Sequence, residues 1–321
     1  MPSEFELIAR YFARPEFLTL GDSSGVALGP GDDCALLMPT PGQQLAVSVD
    51  TSVIDVHFPA NAPPTAIGHR CLAVALSDLA AMGARARWCV MALTLPEANE
   101  AWLAAFADGF HALCAVNDVA LVGGDVTRGA LSIAVTVHGE VPTGKALKRS
   151  GGHAGDILAV TGPLGGGSGG LRAWQNGMRD LADPLLAAYL LPQPRLAAGQ
   201  ALRGLAHCAI DISDGLLGDL GHLCAASKLG AELDVGRLPL AEGLVAMLGE
   251  DAARQAALTG GDDYELLFSL PPSALASAEQ RLSDLGLRLN VIGRLREAPG
   301  IGGVNATDLV TGWQHFPGAS P

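Results

Sequence analysis

From Cys71 to Ala84 the chain reads CLAVALSDLAAMGA, apolar on every side of a 3.6-residue turn. The pattern predicts a helix over about 65–82, opened by Pro63 and Pro64 and buried all round. Shorter apolar runs bounded by Gly, Pro and Asp predict strands near 34–38, 45–50, 88–95, 118–123 and 131–141, with a second helix near 98–116. At the start, Ser3 and Glu6 form an S-x-x-E capping box ahead of a first helix. The stretch VPTGKALKRSGGHAGD, 141–156, is polar and glycine-rich and reads as a linker. Beyond it come a strand at 156–161, helices to about 206, a strand at 208–212 and a helix at 214–227. Strands at 231–235, 264–270 and 288–295 and a helix at 272–285 follow. Both halves mix helices and strands, so the expected class is α/β (α+β), with domains at 1–146 and 147–321.

Composition narrows the classes of function. The 321 residues exceed one ordinary core, and 49% are apolar, which excludes a disordered chain. No apolar run is long enough to span a bilayer, and MPSEFELIARYF lacks a basic-then-apolar leader pattern, so a soluble cytoplasmic protein is expected. A net charge of −13 argues against nucleic acid or an anionic membrane as partner. The six cysteines form no CxxC pair and sit in apolar contexts, so buried free thiols are expected. The eight histidines are scattered, and no zinc site is expected.

The acids are not scattered. Gly31-Asp32-Asp33 precedes an apolar run; Ser48, Asp50 and Thr51 close QLAVSVDT; Asp125 closes LVGGD; Asp211 closes CAID. Each piece fits a turn, and each also fits a polar group at a strand end facing a crevice. Asp78 is more telling. A carboxylate in the middle of an apolar helix costs several kcal/mol unless it is paired or metal-bound, and no basic residue lies within a helical turn of it. Asp211-Ile-Ser-Asp214-Gly215 places two acids around a strand-to-helix turn, where Asp214 is either a ligand or a helix N-cap. Gly260-Gly-Asp262-Asp263-Tyr-Glu265 leads into another strand. Five oxygen-only clusters without His or Cys point to magnesium.

Two glycine patterns imitate nucleotide motifs. Gly139 to Lys145 fits G-x4-G-K, but Ala146 stands where Ser or Thr belongs and no sustained helix follows. Gly165, Gly167 and Gly170 satisfy a dinucleotide fingerprint formally, inside a glycine run that matches many templates. The protein-kinase motifs are absent.

Taken together, GDDCALL, SVDTSVIDVHF, LAVALSDLAAMGA, LVGGDVTRG, DISDG and GGDDYELLF resemble the thiamine-monophosphate kinase family, in the family's order and over about residues 30–268. The N-terminal FELIARYF and the C-terminal WQHF extend the likeness to nearly the whole chain. That family lies in the superfamily of aminoimidazole ribonucleotide synthetase. The resemblance implies a two-domain α/β fold whose N-terminal domain binds ATP and magnesium and pairs into a homodimer. It implies ATP-dependent phosphorylation of thiamine monophosphate to thiamine diphosphate. The alternatives are another ATP-using enzyme of the superfamily or a non-catalytic nucleotide-binding relative. Carried over by motif, the ligands of several Mg²⁺ ions fall on Asp33, Ser48, Asp50, Asp78, Asp125, Asp211 and Asp214. ATP contacts fall on Gly124, Asp125, Arg149 and Ser213, and substrate contacts on His57, Asp262 and Trp313. Two positions depart from the pattern. Val49 stands where a relative can carry Thr, and Asp262 where Glu is a common alternative. Because the acceptor is itself a phosphate, no general base is expected.

Overall fold

The computed structural model describes residues 4–13, 21 and 24–304. Ser3 of the expected capping box and Trp313 lie outside the described residues. The chain divides into two compact units, one of residues 1–79 and 84–144, the other of 80–83 and 145–321.

The first unit opens with helix α1 (Glu4–Leu7), continued by a π-helical turn over Ile8–Phe12. It then runs β1 (Val26–Leu28), β2 (Leu36–Leu37), β3 (Gln43–Val53), α2 (Pro64–Ala81), β4 (Arg85–Leu95), α3 (Glu100–Val116), β5 (Ala120–Arg128) and β6 (Ser132–Pro142). A four-stranded sheet has the order β3-β6-β4-β5, antiparallel except for the parallel β4–β5 pair. The register places Ser48, Asp50 and Ser52 opposite the buried Val137, Val135 and Ile133, so these polar groups share the inward face of β3. The opposite face of β3 carries Leu45, Val47 and Val49, each more than half exposed.

Helix α2 has the all-round burial its composition predicts: from Cys71 to Ala81 every residue is buried except Asp78, which is half-buried. Fully burying a Leu side chain contributes about 1.5–3 kcal/mol, and Leu72, Leu76 and Leu79 are all fully buried. The polar residues that suggested strand ends at Asp50 and Asp125 do not end strands: β3 continues to Val53 and β5 to Arg128. The expected strand at 34–38 is only Leu36–Leu37, and Cys34, left in the loop before it, is exposed while the other five thiols are buried.

The second unit runs β7 (Ile157–Val160), α4 (Gly166–Gln175), α5 (Pro184–Leu190), α6 (Leu196–Leu202), β8 (Cys208–Asp211), α7 (Leu216–Ser227), β9 (Gly230–Leu233), α8 (Leu244–Leu248), α9 (Glu250–Thr259), β10 (Leu266–Leu270), α10 (Leu275–Ser283), β11 (Asn290–Arg296) and β12 (Ile301–Gly302). Its six strands are ordered β12-β9-β11-β7-β10-β8. Strands β7, β8 and β10 are buried at every position, which explains their mostly apolar sequences, broken only by Asp211 at the end of β8 and Ser269 in β10. Leu158, Val160, Ile210 and Ile212 form one core with Leu216, Leu220 and Leu223. Among the described residues no helix is long and apolar enough to cross a membrane.

Candidate active site

In the first unit the segment 29–35 and the segment 121–126 of β5 line one cavity of about 390 Å³, within the range of ligand pockets. Asp32, Asp33 and Asp125 supply its acidic part, and Phe12, Met91 and Leu121 an apolar wall. Asp33 and Asp125, 92 residues apart (125 − 33), are thus brought to one place together with Gly124. Gly124 has φ +153°, and a Cβ there would lie 2.0 Å from the Met91 carbonyl oxygen. Only glycine lets β5 run this close to β4 in that conformation.

Ser48, Asp50 and Asp78 form a second group. The Ser48 hydroxyl donates to Asp78 Oδ2 across β3 and α2. Asp50 lies two residues further along the same face of β3, with its Oδ2 buried. All donors here are oxygens, a set suited to a hard divalent cation. His57 follows β3; its Nδ1 accepts from the Val53 backbone N–H at 3.0 Å, which leaves any ring proton on Nε2. The buried Arg70 donates to the His57 carbonyl and holds the loop.

In the second unit three loops interlock. Asp211 is the buried last residue of β8. The turn after it is clasped by Asp219 of α7, whose Oδ2 accepts from the backbone N–H groups of Ser213 and Asp214, both at 3.1 Å. The helix begins after Gly215, so Asp214 is not its N-cap. Backbone N–H groups of Asp262 and Tyr264 donate to the carbonyls of Ser213 and Ile212, both at 2.8 Å. Asp262 and Tyr264 both hold positive φ, 70° and 52°, and the Tyr264 hydroxyl donates to Asp262 Oδ1. The next residue, Glu265, is anchored by Arg195 through Nε at 2.8 Å and by the Thr161 hydroxyl at 2.6 Å. Asp211, Ser213, Asp214 and Asp262 therefore share one loop system. Arg149 does not join it through its main chain. Its carbonyl accepts from Ser227 in the last turn of α7, while Ser213 and Asp214 precede the first turn of this 12-residue helix, a length of about 18 Å.

Burial pushes the Asp219 carboxyl up to about 7, and the neighbouring Asp211 and Asp214 add to the push against two backbone donors. Burial likewise raises Asp263 to about 8, opposed by the N–H groups of Gly165 and Gly167 that its carboxylate accepts. That contact answers the dinucleotide fingerprint. The N-terminal amides of α4 already hold an internal carboxylate, and a Cβ on Gly167 would lie 2.5 Å from the Asp262 carbonyl oxygen. The glycines serve close packing. The G-x4-G-K match also fails structurally, because no helix follows Lys145 before β7.

Sequence reasoning missed Asp219, Asp263 and Arg195 as positioning residues. Asp219 carries the signal that singled out Asp78: one acid in an apolar helix, LLGDLGHL. Arg195 carries none.

The fold and the acid-lined loops define an AIR synthase related protein: the model of that family's N-terminal domain matches residues 31–141 and that of its C-terminal domain residues 153–304. Within it, the chain is 44% identical over 322 aligned positions to the thiamine-monophosphate kinase of Escherichia coli K12, covering 98% of both chains. It belongs to the thiamine-monophosphate kinase family. The crystal structure of the thiamine-monophosphate kinase of Stenotrophomonas maltophilia K279a is 45% identical, with TM-score 0.85 over 92% of this chain and 95% of that one. AaThiL complexed with AMPPCP and TMP matches at TM-score 0.77 and 29% identity, over 87% of this chain and 89% of that one.

Proposed function

We propose that this chain transfers the γ-phosphoryl group of ATP to thiamine monophosphate, giving ADP and thiamine diphosphate. The carrying observation is a full-length match to kinases of that name, in a chain whose oxygen donors gather at two places in the first unit and one loop system in the second. The donor set fits magnesium. Asp33, Ser48, Asp50, Asp78 and Asp125 of the first unit, and Asp211 and Asp214 of the second, would hold it. Bound Mg²⁺ offsets the repulsion between donor and acceptor phosphates, about 4 kcal/mol per unit-charge pair at about 4 Å and an effective dielectric near 20.

The chain's own residues position rather than activate. The acceptor phosphate is mostly dianionic near neutral pH and is already a nucleophile, so transfer is direct and in line, without a side-chain general base. Gly124, Asp125, Arg149 and Ser213 contact ATP in this reading, and the apolar wall of the first-unit cavity suits a purine face. His57, Asp262 and Trp313 contact the thiamine moiety, and the Tyr264 hydroxyl and the locked turn aim the Asp262 carboxylate. Residues 1–146 form the domain for ATP, Mg²⁺ and dimerisation, and 147–321 the second α/β domain. The homodimer is supported by Leu45, Val47 and Val49, exposed on β3 at the edge of its sheet. ATP as donor and the free thiols accord with a cytoplasmic setting.

The test is formation of thiamine diphosphate and ADP from ATP and thiamine monophosphate, with and without Mg²⁺. With ATP as donor, turnover is expected only when Mg²⁺ is present and thiamine monophosphate is the acceptor; comparable rates with free thiamine, whose hydroxyl would need a base, overturn the mechanism.

A further inference from the structure

Three residues with no part in that reaction meet at the other end of β8. Asp156 immediately precedes β7, His207 immediately precedes β8, and His153 stands three residues before Asp156. Strand β10 lies between β7 and β8, and its Ser269 is in register with both Leu158 and Cys208. Asp211 closes the opposite end of β8, about 10 Å along the strand. The histidines, 54 residues apart, gave no sign of this meeting in the sequence.

His207 Nδ1 lies 2.8 Å from Asp156 Oδ2 and 3.0 Å from His153 Nδ1. One ring nitrogen cannot satisfy both contacts as hydrogen bonds. If it carries a proton, that proton goes to the carboxylate and no lone pair faces His153. If it carries the lone pair, His153 donates to it and the lone pair confronts the carboxylate oxygen. A shared cation removes the conflict, because all three atoms then act as donors of lone pairs. The three ligand atoms lie within 4.8 Å of one another. A tetrahedral zinc ion with ligands at about 2.0–2.1 Å spaces them by about 3.3 Å, so a small opening accommodates it.

We propose that His153, Asp156 and His207 form a binding site for a divalent transition cation of the zinc class. Two imidazoles and one carboxylate select such an ion over magnesium, which takes oxygen ligands. Asp156 is a buried anchor, 3% exposed, whose Oδ2 also accepts from the His153 backbone N–H at 2.9 Å and the Ser269 hydroxyl at 3.0 Å. These outer partners fix the carboxylate's orientation. His153 is exposed and His207 partly so, which leaves a solvent-side coordination position and an entry path. The ion clasps the segment entering β7 to the segment entering β8, and its binding releases any proton held on either Nδ1. The site is structural and independent of the kinase reading.

The experiment uses the full chain without a polyhistidine tag, stripped with chelator and kept in excess Mg²⁺ so that the carboxylate sites do not take up zinc. Titration with Zn²⁺ is expected to show one equivalent bound and a raised unfolding temperature. His153→Asn and His207→Asn should each weaken binding at least ~10-fold. Co²⁺ should give the strong visible absorption of a tetrahedral site, absent from both variants. His153→Asn, at an exposed position, should keep wild-type turnover with Mg²⁺ and ATP. Equal Zn²⁺ uptake by the wild type and the double variant, or no rise in unfolding temperature, overturns the proposal and leaves an Asp156–His207 hydrogen bond.

Discussion

Asp78 shows how one side chain can announce chemistry. Its neighbours from Cys71 to Ala81 are buried, whereas Asp78 itself is half-buried, so that stretch opens at the one place where it carries a charge. The structure supplies Asp78 with a hydroxyl from Ser48 across β3 and α2. Asp78→Asn keeps the shape and an acceptor oxygen while removing the charge. It should lower kcat about 100-fold or more at limiting Mg²⁺, with the unfolding temperature little changed, as steady-state rates and a thermal melt would show. Near-normal turnover would remove Asp78 from the ligand set. Asp219 was open to the same reasoning, since it too is a lone acid in an apolar helix. Asp263 was not, because its partners are the amides of Gly165 and Gly167, 98 and 96 residues away. A sequence shows a buried acid; it does not show which distant N–H it caps.

Strand ends were the least legible elements. Asp50-Thr51-Ser52 and Asp125 with Thr127 and Arg128 look like exits from strands, yet β6 pairs with β3 as far as Val53 and β4 with β5 as far as Arg128. Pairing satisfies the backbone whatever the side chain, and a polar face costs little where it lines a cavity. The glycine run of α4 is the converse case. A pattern that reads as phosphate binding is used for contact between helices, since a Cβ on Gly170 would meet the Leu185 carbonyl oxygen at 2.1 Å. Gly170→Ala should therefore destabilise the second unit by about 1–3 kcal/mol through overpacking. The Michaelis constant for ATP in the folded fraction should not change. A denaturant melt with parallel kinetics checks this; a selective loss of ATP affinity with normal stability would restore the nucleotide reading of the run.

For the molecule as a whole, the exposed row on β3 is the feature a lone chain does not explain. Leu45, Val47 and Val49 are 51%, 58% and 60% exposed beside a strand edge paired only with β6 among the described residues. Apolar edges of this kind are association sites. Val47→Glu, which places a charge on each copy in a two-fold contact, should halve the molar mass measured by light scattering after gel filtration. An unchanged dimer would move the interface elsewhere; a monomeric wild type would end the proposal.

Helix and strand class, two domains and the acid motifs were readable along the chain, because periodicity is local and a carboxylate in an apolar run stands out against its neighbours. Which acids share a place was not. Asp33 and Asp125 come to line one cavity, and Ser48 reaches Asp78, only once strands pair and helices pack. The same holds for His153 and His207, which composition dismissed as scattered and which the entries to β7 and β8 bring to 3.0 Å. Contacts this far apart along the chain depend on sheet order and register, and these arise from burial summed over the whole core rather than from any segment's own pattern.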